Sequence, residues 1–141
     1  MKHTSELVVR TYECDAYGHV NNAVYLNYLE YGRMEFLHAC SFDYKGMFAA
    51  GYYFYVTHID IRYKASAVLD DRLFVEVAPV KLQKVSGVFH QRIYKEDGTV
   101  CAEADVTWAS VSSATGRLTP IPGAFMVEGL KPDISDAKSR P

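Results

Sequence analysis

The stretch Tyr12-Glu13-Cys14-Asp15-Ala16-Tyr17-Gly18-His19-Val20-Asn21-Asn22 runs without a break into Ala23 to Cys40. It carries an acid at Asp15, a bend residue at Gly18, a histidine at the bend, His19, and two asparagines suited to start a helix. A short polar side chain at Asn21 or Asn22 accepts one of the backbone N–H groups that a helix start leaves unpaired. Beyond it, Tyr25, Tyr28, Leu29, Gly32, Phe36, Leu37 and Cys40 follow the three-and-four spacing of one helical face. Glu30, Arg33 and Glu35 lie mostly off that stripe. Gly32 costs about 1 kcal/mol of helix propensity relative to alanine. Its presence therefore predicts a close approach of another backbone. The spacing predicts a long central helix from Ala23 to about Cys40, with a sheet around it and the chemistry at its start.

The remaining bounds come from the whole chain. At 141 residues, 49% of them hydrophobic, it is long enough for one domain with a sizeable core. A formal charge of −2 argues against bulk nucleic-acid binding. No run of about 18 apolar residues predicts a membrane span. The N-terminal residues lack the apolar core of a signal peptide. Three cysteines, Cys14, Cys40 and Cys101, are scattered and odd in number, as in a reduced, cytoplasmic protein. The five histidines show no metal-ligand spacing, so no metal is expected.

Read in order, Leu7 to Cys14 alternates as a first strand. Ser41 to Gly51 holds two glycines and reads as a connection with a short helical turn. Tyr52 to Lys64 is a long strand. Tyr53, Tyr55, Thr57, Ile59, Ile61 and Tyr63 form one face; Tyr52, Phe54, Val56, His58, Asp60, Arg62 and Lys64 form the other. Leu69-Asp70-Asp71-Arg72 is a turn, and Leu73 to Lys84 a strand whose pattern slips near Pro79, as at a bulge or edge. Val85 to Lys95 and Val100 to Val111 follow, joined by the Asp97-Gly98 hairpin. Ala102 and Ala104 leave room for the helix. Pro120 to Leu130 is read as a short helix. The domain covers 1–130, and 131–141 is a polar tail. Short turns between the last four strands imply antiparallel neighbours. The patch of Tyr52, Phe54 and Val56 is read as a surface for a partner.

Asp15-x-x-Gly18-His19-Val20-Asn21-Asn22-x-x-Tyr25-x-x-Tyr28-x-Glu30-x-x-Arg33 resembles the acyl-CoA thioesterases of the hot-dog fold, in their 4-hydroxybenzoyl-CoA thioesterase-like branch. The His-Val-Asn-Asn piece is also similar to plant acyl-ACP thioesterases. The resemblance implies an α+β hot-dog fold, a five-stranded antiparallel sheet wrapped around one long helix. It implies homodimers joined sheet edge to sheet edge, often paired again into homotetramers, with acyl-CoA between subunits and no cofactor beyond the substrate's own coenzyme A. Asp15 maps onto the family's nucleophile or general base, and the N–H near Asn22 onto the group that polarises the thioester carbonyl. Tyr17 stands where the plant enzymes carry asparagine, so their His/Asn chemistry does not transfer whole. Some hot-dog thioesterases carry a catalytic glutamate on the helix, which makes Glu30 and Glu35 rivals.

Each candidate also has a plainer role. Asp15 is an acid of the kind favoured near a helix start. His19 either orients Asp15 or satisfies loop backbone. Asn22 is weighed more as a cap lending its N–H than as a side-chain catalyst. Tyr17, Gly18 and Tyr25 are candidates for contact with substrate, with core packing the alternative for Tyr25. Arg62 and Lys64 are candidates for the phosphates of coenzyme A, with a solvated face as the alternative. Glu30 and Arg33 can simply pair along the helix. Three activities fit this set: a thioesterase, an acyl-thioester hydratase or dehydratase using Asp15 with His19, and a non-catalytic acyl-CoA binding module.

Overall fold

The computed structural model describes residues 1–133. The elements run β1 (His3–Val8), α1 (Asn22–Ala39), α2 (Tyr44–Ala49), β2 (Tyr52–Tyr63), β3 (Arg72–Leu82), β4 (Ser86–Lys95) and β5 (Val100–Ser112). The five strands form one antiparallel sheet in the order β1-β3-β4-β5-β2. α1 packs over β1, β3 and β4. This is the sheet wrapped on a helix that the hot-dog resemblance implies. Of the tail expected over 131–141, residues 134–141 lie outside the described residues.

α1 forms where its spacing predicts. Asn21 is the cap, its side chain accepting the Ala23 N–H. Tyr25, Tyr28, Leu29, Gly32, Phe36 and Leu37 are buried; Cys40 caps the far end. At Gly32 the close neighbours are side chains of β3, Val75 and Val77, not another backbone. Ala102, Ala104 and Val106 of β5 join the cluster beneath the first half of the helix. Phe36, Phe42, Met47, Phe89 and Trp108 form a second cluster beneath its end.

Three expectations about element bounds and pairing are corrected. The first strand ends at Val8 rather than Cys14. Val9 instead pairs with the Asp70-Asp71 turn, and residues Thr11–Glu13 close into a 3-10 turn. β2 is not the sheet neighbour of β3. It pairs with β5 at the opposite edge, and the segment between Lys64 and Asp71 crosses past the start of α1, where Val20 N–H bonds to Ala67 C=O. Pro120 to Leu130 forms two 3-10 turns, Gly123–Phe125 and Glu128–Leu130, rather than one helix.

The faces of β2 also differ from a simple alternation. A bulge between Val56 and His58 adds one residue and swaps the faces. Phe54 therefore packs on Phe42 and Trp108, while Ile59 and Ile61 pack into the cluster under α1. The patch expected from Tyr52, Phe54 and Val56 is thus broken up: only Val56 of the three is exposed, alongside Tyr55 from the other face. The slip at Pro79 is a bulge, as its pattern predicts.

Candidate active site

The decisive loop is a small hairpin held against the start of α1. Glu13 C=O accepts the Asn21 N–H at 2.9 Å, and Asp15 N–H donates to His19 C=O at 2.8 Å. Gly18 N–H returns to Asp15 C=O at 3.0 Å, with Gly18 at φ 80°, a conformation that glycine adopts without a steric penalty. One carboxylate oxygen of Asp15, Oδ1, accepts N–H bonds from Tyr17 at 2.9 Å and His19 at 3.4 Å. Oδ2 has no hydrogen bond among the described residues.

Asp15, His19 and Asn22 line one cavity of about 340 Å³, together with Val20, Tyr25, Tyr63, Lys64, Ala65 and Ser66. Asn22 is the first residue of α1, and its N–H has no partner among the described residues. Such an N–H carries part of the positive end of the helix dipole. Tyr63 donates to Asn22 C=O at 2.9 Å. The buried Tyr25 accepts the Ala67 N–H and stacks edge-on to Tyr63. Burial pushes the Tyr25 hydroxyl above its ordinary range, so it stays protonated.

The other expected residues lie elsewhere. Tyr17 sits at the loop tip, 86% exposed, and outside the cavity lining. Arg62 is on the outer face of the sheet, in a second cavity with Asp60, His90, Glu103 and Asp105. Lys64 borders both cavities and pairs with Glu103 at 2.7 Å. Of the rivals on α1, Glu30 is exposed about two turns along, roughly 12 Å from the helix start. Glu35 pairs with His38. Arg33 does not pair with Glu30 within ion-pair distance; it donates to the buried Gln91 at 3.0 Å. A third, apolar cavity of about 400 Å³ lies at the far end of α1, between α2 and the start of β2.

Two residues that line the cavity, Tyr63 and Ser66, are not marked as site residues by the sequence. Tyr63 shares a strand face with Ile59 and Ile61 in the sequence, and only the structure makes it the last residue of β2. Ser66 reaches the cavity because the crossover passes there, which no local pattern encodes. Glu13, a buried acid inside the quoted stretch, lies outside that cavity's lining and is bonded to Arg10 and Tyr28.

Asp15, with one free carboxylate oxygen, and Asn22, with an unpaired helix-start N–H, thus line the same cavity. The family model described as "Thioesterase-like superfamily" matches residues 9–130. The chain belongs to the thioesterase-like superfamily. It is therefore an enzyme of thioester hydrolysis. Within this superfamily it is 35% identical over 120 residues to the long-chain acyl-CoA thioesterase FadM of Escherichia coli K12, covering 84% of this chain and 90% of that one. It is 30% identical over 122 residues to the acyl-CoA thioester hydrolase YbgC of Escherichia coli O6:H1, covering 85% and 91%. Among solved structures, YbaW, a probable thioesterase from Escherichia coli, superposes with a TM-score of 0.77 at 33% identity, covering 86% of this chain and 92% of that one.

Proposed function

We propose that the protein hydrolyses acyl-CoA to a free acid and coenzyme A, with Asp15 as nucleophile or general base and the Asn22 N–H polarising the thioester carbonyl. The supporting observation is that Asp15, with one carboxylate oxygen free of hydrogen bonds, and Asn22, with an unpaired N–H, line one cavity. Attack on the thioester moves negative charge onto the carbonyl oxygen. A preorganised N–H at a helix start stabilises that charge, and losing one such donor costs roughly 3–4 kcal/mol in other enzymes. The Tyr17 and His19 amides hold Oδ1, which leaves Oδ2 to attack the carbonyl carbon or to take a proton from water. Water supplies the OH of the acid and the proton that leaves on the coenzyme A thiol. The reaction needs no cofactor beyond the substrate's own coenzyme A.

The similarity to FadM supports a long acyl chain as substrate. The open edge of β2, with Tyr55 and Val56 exposed beside it, supports pairing of two copies along that edge. A two-fold pairing of antiparallel β2 strands sets the Tyr63 end of one strand toward the Tyr52 end of the other. The apolar cavity of one subunit then faces the loop of its partner, and pairs of dimers give the tetramer that the resemblance implies. Three free cysteines fit a cytoplasmic setting, and among the described residues no helix is long and apolar enough to cross a membrane. Lys64, at the cavity rim, is the cation nearest the site for a coenzyme A phosphate.

The test is an acyl-CoA panel of rising chain length, assayed by thiol release, with crotonyl-CoA hydration run beside it. The reading expects thiol release that rises with chain length and no hydration. Hydration without thiol release would move Asp15 and His19 to the hydratase assignment. Tight binding without either reaction would make the protein a binding module.

A further inference from the structure

Glu13 is 5% exposed, two residues before Asp15, and its carboxylate is fully engaged. Oε1 accepts the Arg10 N–H at 2.7 Å and the Tyr28 hydroxyl at 3.0 Å; Oε2 accepts the Arg10 guanidinium at 2.8 Å. Its own backbone carbonyl accepts the N–H of Asn21, the helix cap. One residue therefore grips α1 twice, at its cap through the main chain and at its second turn through the side chain. Burial, and then the bond to Glu13, push the Tyr28 hydroxyl well above its ordinary range, so it stays a donor. A buried acid is costly unless it is paired and hydrogen-bonded, and here both oxygens accept bonds. The residues that follow, Cys14 to Val20, make the hairpin that carries Asp15.

We infer that Glu13 is a positioning residue for the reaction proposed above: its buried carboxylate, braced by Tyr28 and Arg10, fixes the Asp15 hairpin over the first turn of α1. It acts through Asp15 and does not touch substrate. This inference rests on the thioesterase reading for its kinetic consequence, but not for its structural one. The Arg10 contact alone, three residues away, would only close a local turn. The contact to Tyr28, fifteen residues away, joins the loop to the helix.

Two measurements on the full chain test it. The first is amide hydrogen exchange of Glu13→Ala, Glu13→Gln and Tyr28→Phe. The Asp15 and Asn21 amides should exchange at least tenfold faster in Glu13→Ala, with β4 and β5 unchanged. Glu13→Gln, which keeps an acceptor for Tyr28, should recover most of that protection. Unchanged exchange in both Glu13→Ala and Tyr28→Phe would overturn the inference. If Glu13→Ala does not fold, Tyr28→Phe alone decides: it removes one hydroxyl and should speed exchange at Asp15 by several-fold.

The second is a double-mutant cycle on acyl-CoA hydrolysis. Glu13→Ala should lower kcat about tenfold and leave KM within twofold. In an Asp15→Asn background the same change should have almost no effect, because its target is already gone. Equal loss in both backgrounds would overturn a role through Asp15. If the unmutated protein releases no thiol from any acyl-CoA, the thioesterase reading fails and the exchange result still decides the positioning.

Discussion

The Tyr63 hydroxyl donates to the Asn22 carbonyl at 2.9 Å, tying the last residue of β2 to the first residue of α1. The bond joins the edge strand to a residue that lines the candidate cavity and whose N–H is unpaired among the described residues. Tyr63→Phe removes it while keeping the ring against Tyr25. A hydrogen bond of this kind contributes about 0.5–1.5 kcal/mol. The thermal midpoint should fall by about 3 °C. The fall in kcat/KM should exceed what that loss of stability explains, because the helix start is loosened.

At Gly32 an added Cβ would run into Val75. Gly32→Ala gains helix propensity, roughly 1 kcal/mol. It also overpacks a fully buried seam, which costs about 1–3 kcal/mol. The second term should win, because Val75 is fully buried on β3, between paired strands β1 and β4. Denaturant unfolding should show a net loss of stability, and Gly32→Ala with Val75→Ala should lose less than the sum of the two single changes.

Gln91 is fully buried and serves both Arg33 and the Leu29 carbonyl. Burial lowers the Arg33 pKa, against the opposing charge of Glu30, and the Gln91 amide oxygen accepts from its guanidinium. Gln91→Leu keeps the size, takes the acceptor from the Arg33 guanidinium and removes the second donor to the Leu29 carbonyl, which keeps its bond within α1. The expected loss is about 1–3 kcal/mol, read by urea unfolding, with the exposed faces of β4 and β5 unaffected.

Glu76 is a buried acid on β3. Burial pushes its pKa up, but the paired Arg92 bonds at 2.8 and 3.3 Å, with Lys2 nearby, outweigh that and hold it below the ordinary 4.5. A depressed carboxylate pKa stabilises the fold above the unfolded value and stops doing so as pH falls through the folded value. Arg92→Gln should therefore be less stable than the unmutated protein at pH 7. The gap should close as pH drops below about 4.5. Stability measured at several pH values checks this, and a gap that widens in acid would contradict it.

The long helix was legible because its stripe has a single period and a real cap in front. The Asp97-Gly98 hairpin and the bulge at Pro79 were legible from turn chemistry and a missing donor. The faces of β2 were not, because one inserted residue near Thr57 reverses them and nothing local marks it. The strand order was hidden too, since the Lys64 to Asp71 crossover looks like an ordinary turn. Asp15, His19 and Asn22 were legible as a set because one loop carries them. Which cavity Arg62 lines is not legible from its strand face alone, because that depends on its sheet neighbours, and the buried role of Glu13 depends on Tyr28, far along the chain.

The measurement that bears most directly on the account is thiol release from a long-chain acyl-CoA by Asp15→Asn, beside far-ultraviolet circular dichroism of the same sample. The amide keeps an acceptor for the Tyr17 and His19 N–H groups, so the loop should hold its shape. The account predicts an unchanged spectrum and a kcat reduced by about 10³-fold or more, the scale seen when a group acting in the transition state is removed. A folded Asp15→Asn protein that turns over at the unmutated rate would contradict it.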